Sequence, residues 1–581
     1  MNQYPGPLPK QSINRLLDSL DEAKRRFDKR APAELARILK QLARMEFNEA
    51  ESLVRFHEAL LFLRAHPPDR TVLQLAEQSL KTFAFRVAKL REAEADLSPL
   101  DDPEVSGIAG ASVTSNFSFE IVRWLVRKHP ARIAIDWDWF DDPDRLGVVA
   151  SRFMPLLEED ATVEANVPYR EWIRAARGRS KDLQWLVARF EGLDLSDKAK
   201  AELYDSLKLH VRWTPPLKAT RTGMKLSGSK IFFHDQPLLS RRDVSIVAEL
   251  QSPLIPLKKL SRLEGERILD LARETSAARY RELHGFTYGD SRRVLHAPIG
   301  RGVDLFFNGV PPERRLPLRA YHSAMIFKNG VPVGYFEGIS LGERMEGGFN
   351  FYYTFREGET AWIYARVLRV CNQLLGVTAF SIDPYQIGYE NEEGIESGAF
   401  WFYRKLGFRP VRPELTKLTL AEEKKIAQRK GYRTPPRVLR KLAAGHMIFE
   451  TPFAGKPVGK KDYAARISWD RFQVRNLGLA VQRRMAAGFH GDANLIRSAS
   501  VHFVKQALEL ETNDWNNAEL KALDDLALVL AMISDLSTWS ASEKGQVRDL
   551  IRTKAAPDEA RYLLLFQRQP KLREAVIKLG S

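Results

Sequence analysis

The sequence lacks most of the features that name a function quickly. Among 581 residues there is one cysteine, Cys371, so the chain can form neither an internal disulfide nor a cysteine-built zinc or iron–sulfur centre. Its position among Val367, Leu368, Val370 and Leu374 reads as core, not as a nucleophile. The 11 histidines contain no His-x-x-x-His pair and no neighbouring ligand set, which argues against a metal centre. No GxxxxGK[ST] loop, GxSxG elbow or strand-following GxGxxG occurs, which removes nucleoside triphosphatases, α/β-hydrolases and simple dinucleotide enzymes. Long apolar runs are missing too. The longest, Leu526 to Ile533, falls far short of the ~20 residues that span a bilayer. The Pro-rich start, Met1 to Lys10, reads as a loose tail without the apolar core of a secretory signal. A soluble cytoplasmic protein with no membrane partner is expected.

What is present is material for large cores, with 44% hydrophobic and 10% aromatic residues. The length corresponds to roughly four domains. Residues 1–105 form a first helical unit: from Ser12 to about Leu90 the apolar residues keep helical spacing, and Leu73, Ala76, Leu80, Phe83, Val87 and Leu90 step by threes and fours. Residues 106–265 read as mixed and mainly helical, with an apolar run from Ala131 to Ile135 that leads into the carboxylates Asp136, Asp138, Asp141, Asp142 and Asp144. Such a cluster can ligate a hard cation, but an acidic capping loop with Trp anchors fits its spacing better. The mixed segment closes with a helix from Leu260 to Leu283, and residues 453–581 return to amphipathic helices.

Residues 266–452 change texture. Strands are expected over Val303–Phe307, Tyr321–Phe327 and Val331–Ile339, the last two joined by Asn329-Gly330. Asn-Gly between apolar runs marks a hairpin, because a type I′ turn needs positive φ at both central residues. Phe349, Phe351, Tyr353 and Phe355 alternate like one face of a strand, a helix follows from Thr360 to Leu375, then a strand over Val377–Ile382 and a helix over Ser397–Leu406. The fold class read from this order is α+β, a central mixed sheet with helices between largely helical N- and C-terminal domains.

Within that order, Ala399-Phe-Trp-Phe-Tyr403-Arg-Lys-Leu-Gly407-Phe408 resembles the closing motif of the GNAT acyltransferase superfamily. The resemblance implies a GNAT-like domain and an acyl-CoA-dependent N-acyltransferase that uses acetyl-CoA or another acyl-CoA as co-substrate. It also implies that Tyr403 is the general acid for the departing thiolate. The loop Arg356-Glu357-Gly358-Glu359-Thr360-Ala361 is similar to the family's pyrophosphate loop at its ends, with its glycine one position early. By resemblance Arg356, Gly358, Thr360 and Ala361 would hold the CoA, which suits the anion affinity of a helix start. Glu337 and Asp383 are candidate bases toward the acceptor amine, and spacing does not choose between them. The acceptor itself, whether small amine, aminoacyl-tRNA or protein lysine, stays open.

The formal charge of +16 is concentrated. Residues 206–234 hold Lys208, Arg212, Lys218, Arg221, Lys225 and Lys230 with no acid, and residues 422–441 hold eight Lys and Arg against Glu422 and Glu423. If the two runs meet near the crevice they would receive an anionic substrate. Another reading is a non-catalytic scaffold with a degenerate GNAT-like fold, whose basic surface binds nucleic acid or another anionic partner.

Overall fold

The structure, a computed structural model, describes residues 10–154, 167–451 and 468–581. The start Met1 to Pro9 and the expected boundary at 452/453 lie outside the described residues. Five helices open the chain, Lys10–Ala23, Ala31–Arg44, Ala50–Ala65, Arg70–Lys81 and Phe83–Glu92. The apolar stripe read between Leu73 and Leu90 crosses from the fourth helix to the fifth at Thr82, and its Ala76, Leu80, Phe83, Val87 and Leu90 are buried. Asp69 accepts a hydrogen bond from Val72 N and so fixes where the fourth helix starts.

A small antiparallel sheet follows, made of β1 (Val113–Ser115), β2 (Ile133–Ile135) and β3 (Val211–Trp213) in the order β1-β3-β2. Helices Phe119–Lys128, Asp182–Glu191 and Asp197–Ser206 pack with it around a separate core. The acidic run after β2 is a structural loop. Asp136 is buried, accepts from the Thr114 hydroxyl and pairs with Arg212 at 2.7 Å. Among the described residues no group of three or more His, Cys, Asp or Glu is arranged to hold a metal.

The main sheet has nine strands. These are β4 (Lys258–Lys259), β5 (Leu295–Gly300), β6 (Val303–Gly309), β7 (Ala320–Lys328), β8 (Val331–Leu341), β9 (Arg344–Phe351), β10 (Ala379–Ile382), β11 (Arg409–Pro410) and β12 (Met447–Glu450). Their order is β11-β12-β10-β9-β8-β7-β6-β5-β4. All neighbours are antiparallel except β9 and β10, which the helix Thr360–Leu375 joins as a parallel crossover. The fold is α+β, as the sequence pattern implies. One apolar core takes in residues of the first helices, both faces of this sheet and the C-terminal helices Val474–Phe489 through Pro570–Gly580.

The Asn329-Gly330 turn is present, with φ of 50° and 80°. Three expectations shift. The aromatic strand starts earlier, at Arg344, and ends at Phe351, after which Tyr353–Phe355 form a tight turn instead of continuing. Tyr352 N donates to Val333 O at 3.0 Å, which holds the chain as it leaves the sheet. The helix expected over Ser397–Leu406 is shorter, Ala399–Arg404, and starts at Gly398 with φ +66°, which sets it off from a separate short helix, Glu392–Glu396. The helix read over Leu260–Leu283 is Arg262–Ala277, started by a Ser261–Glu264 capping box. Cys371 is buried, and burial raises its thiol far above the ordinary value, consistent with a core role. No helix among the described residues is long and apolar enough to cross a membrane.

Candidate functional site

The site arises where the parallel pair separates. β9 pairs with β10 only from Arg344↔Ala379 to Glu346↔Ser381, and then runs on to Phe351 with no strand on that side. The carboxyl ends of two parallel strands and the start of their crossover helix therefore meet at one gap, the usual ligand position in such sheets. A cavity of about 580 Å³ fills it, lined by Tyr335, Glu337, Asn350, Arg356, Thr360 and Tyr403 among others. A second cavity of about 520 Å³, lined by Arg241, Gly358, Ala361 and Lys405, shares Thr360, Ser397 and Phe402 with the first. These three residues form a neck between the two chambers.

Tyr403 is buried at 3% exposure and lines the first chamber. Its ring stands edge-on to Tyr364 at 5.7 Å and to Phe408 at 5.6 Å, which fixes its direction. Burial raises its hydroxyl pKa, so it stays protonated. Glu337 faces the same chamber and accepts a short hydrogen bond from the Tyr321 hydroxyl, which itself accepts from Gly285 N at 3.0 Å. Burial lifts the Glu337 carboxyl above its ordinary value. A protonated phenol and a carboxylate of raised basicity thus share one chamber, the equipment for giving one proton and taking another.

Arg356 and Thr360 line the first chamber, Gly358 and Ala361 the second. Arg356 is engaged by Glu393, whose other oxygen lies 3.5 Å from Arg281, so the two arginines and Glu393 clasp one wall. Glu359 does not cap the helix that follows it. Its carboxylate is fully buried, 2.5 Å from Arg301 and 3.4 Å from Lys328, and accepts from Leu239 N at 3.1 Å. Burial alone would raise this carboxyl, but Arg301 and Lys328 hold it below the ordinary value. Glu357 pairs with Arg25 at 2.9 Å. Both glutamates of the loop are therefore paired, and Thr360 and Ala361, in the first turn of the helix, line the second chamber. Arg241 and Lys405 face that chamber with no ion pair, and burial together with neighbouring Arg242 lowers the pKa of both.

Asp383 is not brought into this cleft. It accepts from Tyr385 N at 2.9 Å and lines a third cavity instead, because the chain turns at Pro384 directly after β10. The two basic runs do not converge either. Arg212 pairs with Asp136, Arg221 is buried against Glu58 at 2.8 Å, and Lys225 pairs with Glu77. Lys218, Lys225 and Lys230 line a cavity beside the helix Arg262–Ala277, away from the cleft. From the other run, Arg440 pairs with Glu392, next to the Glu393 clasp, but no residue of 422–441 lines the cleft chambers.

No family model matches the chain, and no curated protein or solved structure matches it either. The site thus rests on its own chemistry. Sequence reasoning missed Tyr321, Arg241, Lys405 and the Arg281–Glu393–Arg356 clasp. The marked turn places Tyr321 on the partner strand, but its meeting with Glu337 depends on a register shift that the turn does not signal. The clasp carries no signal at all, since its members are far apart in the chain.

Proposed function

We propose that this chain is an acyl-CoA-dependent N-acyltransferase built on a GNAT-like sheet. The observation that carries the reading is the separation of β9 from β10 beyond Glu346, with Tyr403 and Glu337 in the opening. The unpaired edge of β9 offers backbone N–H and C=O groups to an extended, amide-bearing arm such as that of CoA. At the far chamber the first turn of Thr360–Leu375, Arg241 and Lys405 suit a pyrophosphate, and Glu357 and Glu359 are already paired elsewhere.

In this reading the acceptor amine loses a proton toward Glu337 and attacks the thioester carbonyl. The new C–N bond forms, the C–S bond breaks, and Tyr403 gives its proton to the departing thiolate. Holding thioester and amine in one chamber supplies much of the rate by proximity. A calorimetric titration with acetyl-CoA tests the reading, followed by a thiol-release assay over a panel of amines. Saturable binding with amine-dependent thiol release is expected. Absence of binding would overturn it.

A second reading has its own observation. Lys424, Arg429, Lys430, Arg433, Arg437 and Lys441 are exposed and make no ion pair with a described residue, a surface that suits a polyanion. Retardation of DNA or RNA that fades with salt, without acetyl-CoA binding, would favour the scaffold.

A further inference from the structure

The third cavity continues the cleft along the same face of the sheet. Cross-strand partners share a face, and Glu337↔Gly348, Ile339↔Glu346 and Leu341↔Arg344 are consecutive such pairs of β8 and β9. Glu337 and Gly348 line the first chamber, while Ile339, Leu341, Arg344 and Glu346 line the third cavity of about 620 Å³, and Tyr385 lines both. The two spaces form one trough that runs down the strands from the reacting carboxylate.

The charges in the lower half are unbalanced. Arg344, 7% exposed, gives Nε to Ser381 Oγ at 3.2 Å and Nη1 to the Phe472 carbonyl at 2.7 Å; it makes no ion pair with a described residue, and Glu346 and Asp470 act on it only from beyond ion-pair distance. Arg412 and Arg475 line the cavity, exposed and without an ion pair to a described residue. His446 also faces it, with a buried Nε2 that has no partner. Of the other charged groups there, Arg319 and Glu346 pair with each other at 3.7 Å, Asp383 is occupied by Tyr385 N, and Glu390 is unpaired. Three guanidinium groups thus face two carboxylates, one of them already hydrogen-bonded. A buried arginine whose counter-charges stand off at a distance is only partly compensated, and an incoming anion in direct contact lowers that cost.

We infer that the lower trough binds the acidic group of the acceptor, so that the substrate is a small amine bearing a carboxylate or phosphate several bonds away. This rests on the acyltransferase reading of the upper chamber. From Glu337 to Ile339 and Leu341 the strand advances about 7 to 14 Å, at about 3.4 Å per residue. That span matches an amine and an acid separated by a chain of about five or more carbons, as in 6-aminohexanoate.

Thiol release from acetyl-CoA should be compared for 6-aminohexanoate, 6-aminohexyl phosphate and hexylamine. Binding of 6-aminohexanoate should be measured by calorimetry without acetyl-CoA. The native protein is expected to prefer the better acid by about tenfold or more in kcat/KM, the scale of a charge-assisted hydrogen bond, and the ranking of the two acids separates carboxylate from phosphate. The variant Arg412→Gln/Arg475→Gln changes exposed residues and should fold; in it the preference should shrink to less than about threefold and binding should weaken by about tenfold. Equal turnover of hexylamine and both acids overturns this inference and keeps the acyltransferase reading. Arginine-dependent binding of 6-aminohexanoate with no thiol release from any amine supports the anion site and overturns that reading. Absence of both binding and thiol release overturns the two together.

Discussion

The Glu359 carboxylate lies 2.5 Å from the Arg301 guanidinium, buried beneath the loop to which it belongs. Lys328, buried as deeply, stands on its other oxygen at 3.4 Å and donates to Arg301 O at 2.6 Å. The loop that opens the crossover helix is therefore anchored from below by charge, while Glu357 on its chamber side pairs with Arg25. Glu359→Ala leaves Lys328 buried without its carboxylate, which costs about 3–5 kcal/mol. The midpoint of urea unfolding should fall accordingly. Glu359→Gln, which can still accept from Leu239 N, should cost less.

Glu337 supplies a pH test with two readouts of opposite sign. Burial raises its carboxyl, and the Tyr321 hydroxyl and His284 only partly offset this. As a base it works deprotonated, so kcat/KM should fall as pH drops through a pKa above the ordinary 4.5. For stability the direction reverses. A carboxyl whose folded pKa is raised contributes most at low pH, and that contribution is lost as pH rises through the folded pKa. Glu337→Gln should remove the acid limb of the rate profile and lower turnover by about 10²- to 10⁴-fold. The same variant should show a flatter dependence of stability on pH.

The Tyr403 hydroxyl makes no hydrogen bond to a described residue, so it is available to a ligand. Its ring does the packing, against Tyr364, Phe402 and Phe408. Tyr403→Phe keeps those contacts and should leave the thermal midpoint within a degree or two, since it loses no protein hydrogen bond. Thiol release should fall by about 10²-fold or more, because the departing thiolate loses its proton donor. Unchanged release would remove Tyr403 from the chemistry.

How much of this was legible in the sequence depends on the range of the interactions. The Asn329-Gly330 hairpin and the helix Thr360–Leu375 rest on local rules, turn chemistry and apolar period, and both stand where those rules put them. The face of Glu337 could not be read in that way. A regular two-residue hairpin would set it opposite His322, on the other face from Tyr321. The register shifts between Ile326 and Phe327, where β8 carries the extra residue Val333, and this pairs Glu337 with Ser323 on the Tyr321 face. One bulged residue thus decides which carboxylate reaches the cleft. The neutralisation of Glu359 needed Arg301 and Lys328, and the Arg356 clasp needed Arg281 and Glu393, pairs that no spacing rule connects.

The first helical layer reaches the site through Glu58. One of its oxygens lies 2.9 Å from His57 Nδ1, the other lies 2.8 Å from Arg221 and accepts from the Thr354 hydroxyl, just after β9. Burial works against its charge, but Arg221, His57 and Thr354 outweigh this and hold its pKa at about 2, below the ordinary 4.5. A depressed carboxyl gives stability that is present above its unfolded pKa and is lost as pH falls through the folded one. Stability should therefore drop between about pH 4.5 and 2 in the native protein. Glu58→Gln should be less stable at pH 7 and show a smaller further loss over that window, measured by denaturant unfolding at each pH.

Gly358 owes its identity to close approach. A Cβ there would sit 2.8 Å from His66 Nε2 and 3.0 Å from the Phe355 carbonyl. His66 cannot yield easily, since it is 1% exposed and its ring stacks on Phe62 at 4.7 Å. Gly358→Ala must instead lift the loop by tenths of an ångström, and Thr360 and Ala361 with it, so acetyl-CoA affinity should weaken about tenfold with only a modest loss of stability. Gly358→Pro should be worse, because it also removes the N–H that donates to Phe355 O at 2.9 Å. The decisive variant is Gly358→Ala combined with His66→Ala. Shrinking the ring leaves room for the new methyl, so the double variant should bind acetyl-CoA more tightly than Gly358→Ala alone, with a coupling of about 0.5 kcal/mol or more. Strictly additive losses would show that His66 does not set the height of the loop.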